Sequence, residues 1–129
     1  MDSGPNTLRK EERLGSRTAI EALFSGGNPS LSSFPLRAVF MPTSEKGVHI
    51  MVSVSKRFFK RAVKRNRIKR QIREAYRQNK SLLTLRDEGL NIAFLWSANE
   101  MLPTSVVFHK VKNLLSRINE SVSPSSPSL

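Results

Sequence analysis

From Lys56 to Arg73 the sequence carries ten Lys and Arg residues and no Asp or Glu. Going on to Arg77 adds one more Arg and one acid, Glu74. Like charges this dense repel, so the segment must lie on a surface and be compensated from outside the chain. The pattern inside it decides how. From Ile68 on, Ile68, Ile72, Ala75 and Tyr76 recur at helical spacing and form one apolar stripe. At ~100° per residue, Asn66, Lys69, Arg70, Arg73 and Arg77 project within about 50° of a common direction on the other side. The segment predicts a helix with a core face and a cationic face. Phe58, Phe59, Ala62 and Val63 fall out of phase, so Arg57 to about Arg61 reads as the loop into it.

The formal net charge is +12, and Lys56–Arg77 supplies +10 of it (eleven basic minus one acidic). The rest of the chain holds eleven basic and nine acidic residues. A local polycation on a near-neutral body reads as a binding face for nucleic acid, an anionic membrane or an acidic protein. Solvated helices usually mix signs at i, i+4, whereas from Lys56 to Arg73 no acid interrupts the ten basic residues, which favours nucleic acid. The planar fork of Arg matches phosphate oxygens in two bonds and stacks on bases. Asn66, inside the Arg65–Arg67 triplet, both donates and accepts, as a 2′-hydroxyl or base edge requires. No leucine heptad follows, so a basic zipper fits poorly. A helix buried along one side suits shaped RNA better than a DNA major groove.

At 129 residues the chain has room for one domain. It has no cysteine, which excludes disulfides, thiolate catalysis and Cys-based zinc sites. No apolar run approaches the ~20 residues of a membrane span. "MDSGPNTLRKEER" lacks the apolar stretch of a secretory signal. A cytoplasmic location is expected. Residues 1–12 read as a flexible segment and Ser121–Leu129 as a disordered Ser/Pro tail. Residues 13–120 are left as a single RNA-binding α+β domain.

Within it, "TAIEALFSGG" predicts a helix of about two turns. Thr18 and Glu21 have capping-box spacing, Ile20, Leu23 and Phe24 share a face, and Gly26 and Gly27 supply the stop. Phe24 reads equally as a core residue. "FPLRAVF" alternates Phe34, Leu36, Ala38 and Phe40 on one face, and Pro35 marks an edge strand or a strand start. "VHIMVSVS" alternates Val48, Ile50, Val52 and Val54, and the short link between the two strands predicts an antiparallel pair. "LNIAFLWS" is an apolar run broken only by Asn91 before its closing serine, as a strand covered on both faces would be. Val107, Val111, Leu114, Leu115 and Ile118 define the last helix, with Thr104 as its cap. The fold class is α+β: three helices on a small sheet of three to four strands.

No enzymatic constellation stands out. His49 and His109 lack partners at ligand spacing, and the carboxylate pairs Glu11–Glu12 and Asp87–Glu88 fall at element edges. "SGGNPS" lacks the lysine of a phosphate loop, and Trp96 reads as core.

"KRAVKRNRIKRQIREAYR" resembles the RNR motif and helix of the bacterial ribonuclease P protein family. "VSVSK" (Val52–Lys56) is similar to the family's strand before that helix, and Arg13–Leu14 with "IEALFSGG" to its first helix. The resemblance runs from about Arg13 to Ile118. It implies a mixed sheet with a left-handed strand–helix–strand crossover, and an accessory subunit of a ribonucleoprotein endonuclease that removes the 5′ leader of precursor tRNA. The RNA subunit would perform the hydrolysis with bound magnesium, and no cofactor is expected on the protein alone. The implied RNA-contacting group is Lys56, Lys60, Arg61, Arg65, Asn66, Arg67, Lys69, Arg70 and Arg73. The implied leader cleft holds Ile20, Phe24, Arg37 and Ser53, where only Phe24 is aromatic although the family's cleft is lined by aromatics. Catalytic RNA and precursor tRNA are the expected partners, without membrane or DNA. A ribosomal-type RNA-binding protein and a DNA-binding regulator are the rival readings.

Overall fold

Helix α1 (Arg17–Leu23) precedes strands β1 (Ser30–Ser33), β2 (Leu36–Thr43) and β3 (Gly47–Val54). Helix α2 (Ala62–Asn79), strand β4 (Gly89–Trp96) and helix α3 (Thr104–Val122) follow. The computed structural model describes residues 13–84 and 89–122. The expected flexible segment 1–12, most of the expected tail and both carboxylate pairs lie outside them.

The strands form one mixed sheet in the order β1-β2-β4-β3. β1–β2 and β2–β4 are antiparallel, and β3–β4 is parallel, joined through α2. Strand β4 takes a central place because both its faces are largely apolar, Asn91 being its one buried polar residue. Leu90, Ile92, Phe94 and Trp96 point into the main core, which Ile68, Ile72 and Tyr76 of α2 and Val107, Val111, Leu114, Leu115 and Ile118 of α3 complete. Ala93 points the other way, against Val39 and Leu23 of α1. The layers are therefore α2 and α3, then the sheet, then α1.

This arrangement overturns the expected β2–β3 pair. The two strands do not touch as neighbours; β4 lies between them. A short link does not force a hairpin. From Thr43 to Gly47 the chain takes four steps, enough for about 13 Å, and one intervening strand requires only about 9.5 Å. The link passes over the start of β4 at Gly89, which is in register with Thr43 on one side and Gly47 on the other.

Four smaller expectations also change. Ser16, not Thr18, caps α1: its Oγ accepts from the Ala19 amide at 3.3 Å. The Leu14 amide donates to the Ile50 carbonyl at 2.7 Å, which fixes where the chain enters the helix. Phe34 is not on the core face of β2; it stands 71% exposed before cis-Pro35, in the turn from β1. Thr104 does not cap α3, because the Pro103 carbonyl already accepts from Val106 and Val107. That helix also runs through Ser121 and Val122, two residues into the expected tail.

Candidate nucleic-acid interface

The apolar stripe of α2 is buried as expected: Ile68, Ile72, Ala75 and Tyr76 lie against the core, with Gln71 and Asn79 beside them. Burial of that stripe forces Asn66, Arg67 and Arg70 outward, where they are exposed, and leaves Lys69 and Arg73 half-buried on the flanks. None of Arg67, Lys69, Arg70 and Arg73 has an ion-pair partner among the described residues. Glu74, the one acid, is taken up locally. Arg77 donates to it through Nε (3.0 Å) and Nη2, and Gln78 through Nε2 (2.8 Å). Those bonds, Arg77 first, hold its carboxyl below the usual carboxylate range.

Arg13 joins this face from outside the helix. It forms an isolated parallel bridge with Ile50, at the edge of β3. Arg13, Asn66, Arg70, Arg73, Glu74 and Arg77 then line a groove of about 410 Å³. Burial, and after it the charge of Arg13, pulls the Arg73 guanidinium below its ordinary value. Guanidinium groups held together against repulsion make a site for a polyanion. Helical periodicity gave no sign of Arg13, because sheet pairing delivers it.

The loop into α2 exposes Lys56, Lys60 and Arg61. The first turn of α2 has no acidic residue, so the positive end of the helix dipole also faces an incoming anion. Arg65 behaves differently from its neighbours in the triplet. Its Nη1 folds back to donate to the carbonyls of Phe59 (2.8 Å) and Lys60 (2.9 Å), tying down the loop. Arg65→Ala should therefore lower stability by ~1–3 kcal/mol, the range for hydrogen bonds from a charged donor. Arg67→Ala should leave it nearly unchanged, and circular dichroism melts of both variants check this.

The residues expected in a leader cleft lie on the opposite side of the sheet. Leu23 is the buried residue of α1, at 1% exposure, whereas Phe24 is 45% exposed. Phe24 is thus no core residue; with Asn28, Ser30, Arg37 and Val39 it lines a groove of about 250 Å³. Arg37 Nη2 donates to Ser30 Oγ at 3.4 Å. Arg37 and Ser53 share one cross-strand row through Leu95. Ile20 is half-buried on α1, outside the lining of that groove. Val39 and Asn28, missed in the sequence, belong to it.

The histidines stay apart: His49 lies by Asn91 on the sheet, and His109 is exposed on α3 with its ring edge-on to Phe108 at 5.5 Å. Among the described residues no three His, Cys, Asp or Glu side chains cluster. Trp96 is core, its Nε1 donating to the Glu100 carbonyl. Among the described residues no helix is long and apolar enough to cross a membrane.

A guanidinium-lined helix face on one side of a mixed sheet, and an open groove with an exposed aromatic on the other, define an α+β nucleic-acid-binding protein. The comparisons narrow the class. The sequence model of the ribonuclease P family matches residues 8–119. The ribonuclease P protein component of Porphyromonas gingivalis W83 is 41% identical over 126 residues, spanning 92% of this chain and 90% of that protein. That of Chlorobaculum tepidum is 34% identical over 130 residues, spanning 86% and 84%. Among solved structures, the RNase P protein of Thermotoga maritima superposes with a TM-score of 0.68 at 26% identity, covering 82% of this chain and 96% of that one. The Staphylococcus aureus RNase P protein, at 20% identity, shares the fold with a TM-score of 0.70 over 83% of this chain and 94% of that one. The chain belongs to the bacterial ribonuclease P protein family. It is a subunit of an RNA-catalysed endoribonuclease and acts with the catalytic RNA in 5′ maturation of tRNA. The ribosomal and DNA-regulator readings fall with this membership.

Proposed function

We propose that the two sides of the sheet serve two RNAs in the cytoplasm. The cationic face of α2, with Arg13, Lys56, Lys60, Arg61, Asn66, Arg67, Lys69, Arg70 and Arg73, holds the catalytic RNA. Arg65 serves it indirectly, by fixing the loop. The groove beside α1, with Phe24 and Arg37 in its lining and Ile20 and Ser53 beyond it on the same side of the sheet, receives the single-stranded 5′ leader of precursor tRNA. The observation that carries this division is the exposure of Phe24 beside Arg37 on the face opposite α2. An aromatic ring stacks on any base, and a guanidinium pairs with the phosphate beside it, so leader sequence need not be read. The RNA would hold the magnesium ion for hydrolysis.

The mature tRNA lacks a leader, so it separates the two roles. With catalytic RNA saturated by protein, Phe24→Ala should weaken precursor tRNA binding by ~1–3 kcal/mol, the worth of one stacked base. Arg37→Ala should act in the same direction. Neither should change binding of mature tRNA. Equal weakening for both tRNAs would reject the leader groove.

A further inference from the structure

Beside the α2 face, toward the start of α3, Arg67, Arg70, Gln71, Glu74 and Thr104 line a second groove of about 210 Å³. Gln71 is only 8% exposed. Its Nε2 donates to the Leu102 carbonyl at 3.2 Å and to Thr104 Oγ1 at 3.0 Å. A carbonyl only accepts, so the amide nitrogen must face Leu102 and the oxygen is the atom left over. That oxygen, Oε1, is buried with no partner. The groove that Gln71 lines is rich in donors. Arg67, Arg70 and Thr104 border it, and the Thr104 amide, at the first turn of α3, has no helical acceptor. The Thr104 hydroxyl accepts from Gln71, which leaves its proton free to donate outward. Glu74, the other acceptor in the lining, is engaged by Arg77 and Gln78.

The donors call for a phosphate, and the single orphaned acceptor calls for a donor close to it. A ribonucleotide supplies both, because its 2′-hydroxyl sits near the phosphate whatever the base. We propose that this groove is a one-nucleotide subsite for the catalytic RNA, in which a ribose 2′-hydroxyl donates to Gln71 Oε1. The neighbouring phosphate lies against Arg67, Arg70 and the first turn of α3. The terminal torsion of a Gln side chain is broad, so Oε1 can turn toward the groove at the cost of lengthening the Nε2 bonds to Leu102 and Thr104. The inference rests on the reading that the α2 face holds the catalytic RNA, and it adds discrimination of RNA from DNA at one position.

The test maps 2′-hydroxyl dependence. Catalytic RNA with single 2′-deoxy substitutions scattered along its length is selected for binding to full-length protein, wild type or Gln71→Leu. With wild type, one nucleotide should show a loss of about threefold to tenfold, the worth of one hydrogen bond. With Gln71→Leu that loss should vanish while the other positions keep theirs. Thr104→Val removes an acceptor of Nε2 but leaves Oε1, so it should keep the loss. Identical maps for wild type and Gln71→Leu, or a map for Thr104→Val that matches Gln71→Leu, would overturn the subsite. A second measurement does not depend on altering Gln71. The chain has no cysteine, so Ser105→Cys carries a single tethered iron–EDTA group. Its radicals should cut the RNA at the nucleotide found by the map; cuts elsewhere, or none, overturn the proposal. Arg70→Ala and Arg73→Ala separate the levels. If they weaken RNA binding while the maps coincide, only the subsite fails; if they leave binding intact, the α2 reading fails with it.

Discussion

Replacing Arg70 and Arg73 together by alanine weakens binding of the catalytic RNA by about 2–6 kcal/mol, at ~1–3 kcal/mol for each charge-assisted contact. The melting temperature should hardly move. Arg70 is exposed, and neither residue has an ion-pair partner among the described residues. Loss of Arg73 even relieves its repulsion with Arg13. Ile72→Ala, one position away on the same helix, should do the reverse. Ile72 is 0% exposed, and truncating a buried Ile costs ~2–5 kcal/mol of folding stability. Thermal melts and RNA affinities on the two variants decide. If the double Arg variant melts early and binds normally, the charged face is structural.

Gly89→Ala should be strongly destabilising, at about 3 kcal/mol or more. A Cβ at Gly89 would sit 1.6 Å from the Glu45 carbonyl oxygen and 2.5 Å from Thr43 Oγ1. The first obstacle is backbone, so no rotamer change relieves it. The clash follows from topology: the link from β2 to β3 has to cross β4, and it crosses at this residue. Gly15→Ala is the control, because a Cβ there meets nothing within 4 Å. Denaturant titration should show the two variants far apart. Equal stabilities would mean that the crossing is looser than described.

What the sequence revealed followed the strength of its periodicities. The five buried residues of α3 were the five apolar positions of its repeat. The buried stripe of α2 likewise determined where its charges point. β4 announced its central place by being largely apolar on both faces, but pairing partners are not written in one strand. The short link between β2 and β3 satisfied a hairpin and a one-strand crossing alike, and the better burial of β4 decided for the crossing. The site was legible in the same measure. Charge on a helix face could be read directly. The turn of Arg65 toward loop carbonyls could not, since Arg65 and Arg67 are chemically alike and differ only in what lies beneath them. Arg13 and Val39 enter their grooves through strand pairing, which no local pattern records. Phe24 and Leu23 are adjacent apolar residues at the end of α1, and only the position of the sheet settles which one is buried.

That the α2 face holds RNA phosphates is tested most directly by titrating salt against the affinity for catalytic RNA. Six phosphate contacts, at ~0.7–0.9 counterions each, give a slope of log K against log salt of roughly −4 to −5. Arg70→Ala with Arg73→Ala should make it shallower by about 1.4–1.8, one increment for each contact removed. A wild-type slope near zero, or a slope that the two substitutions leave unchanged, would contradict the assignment.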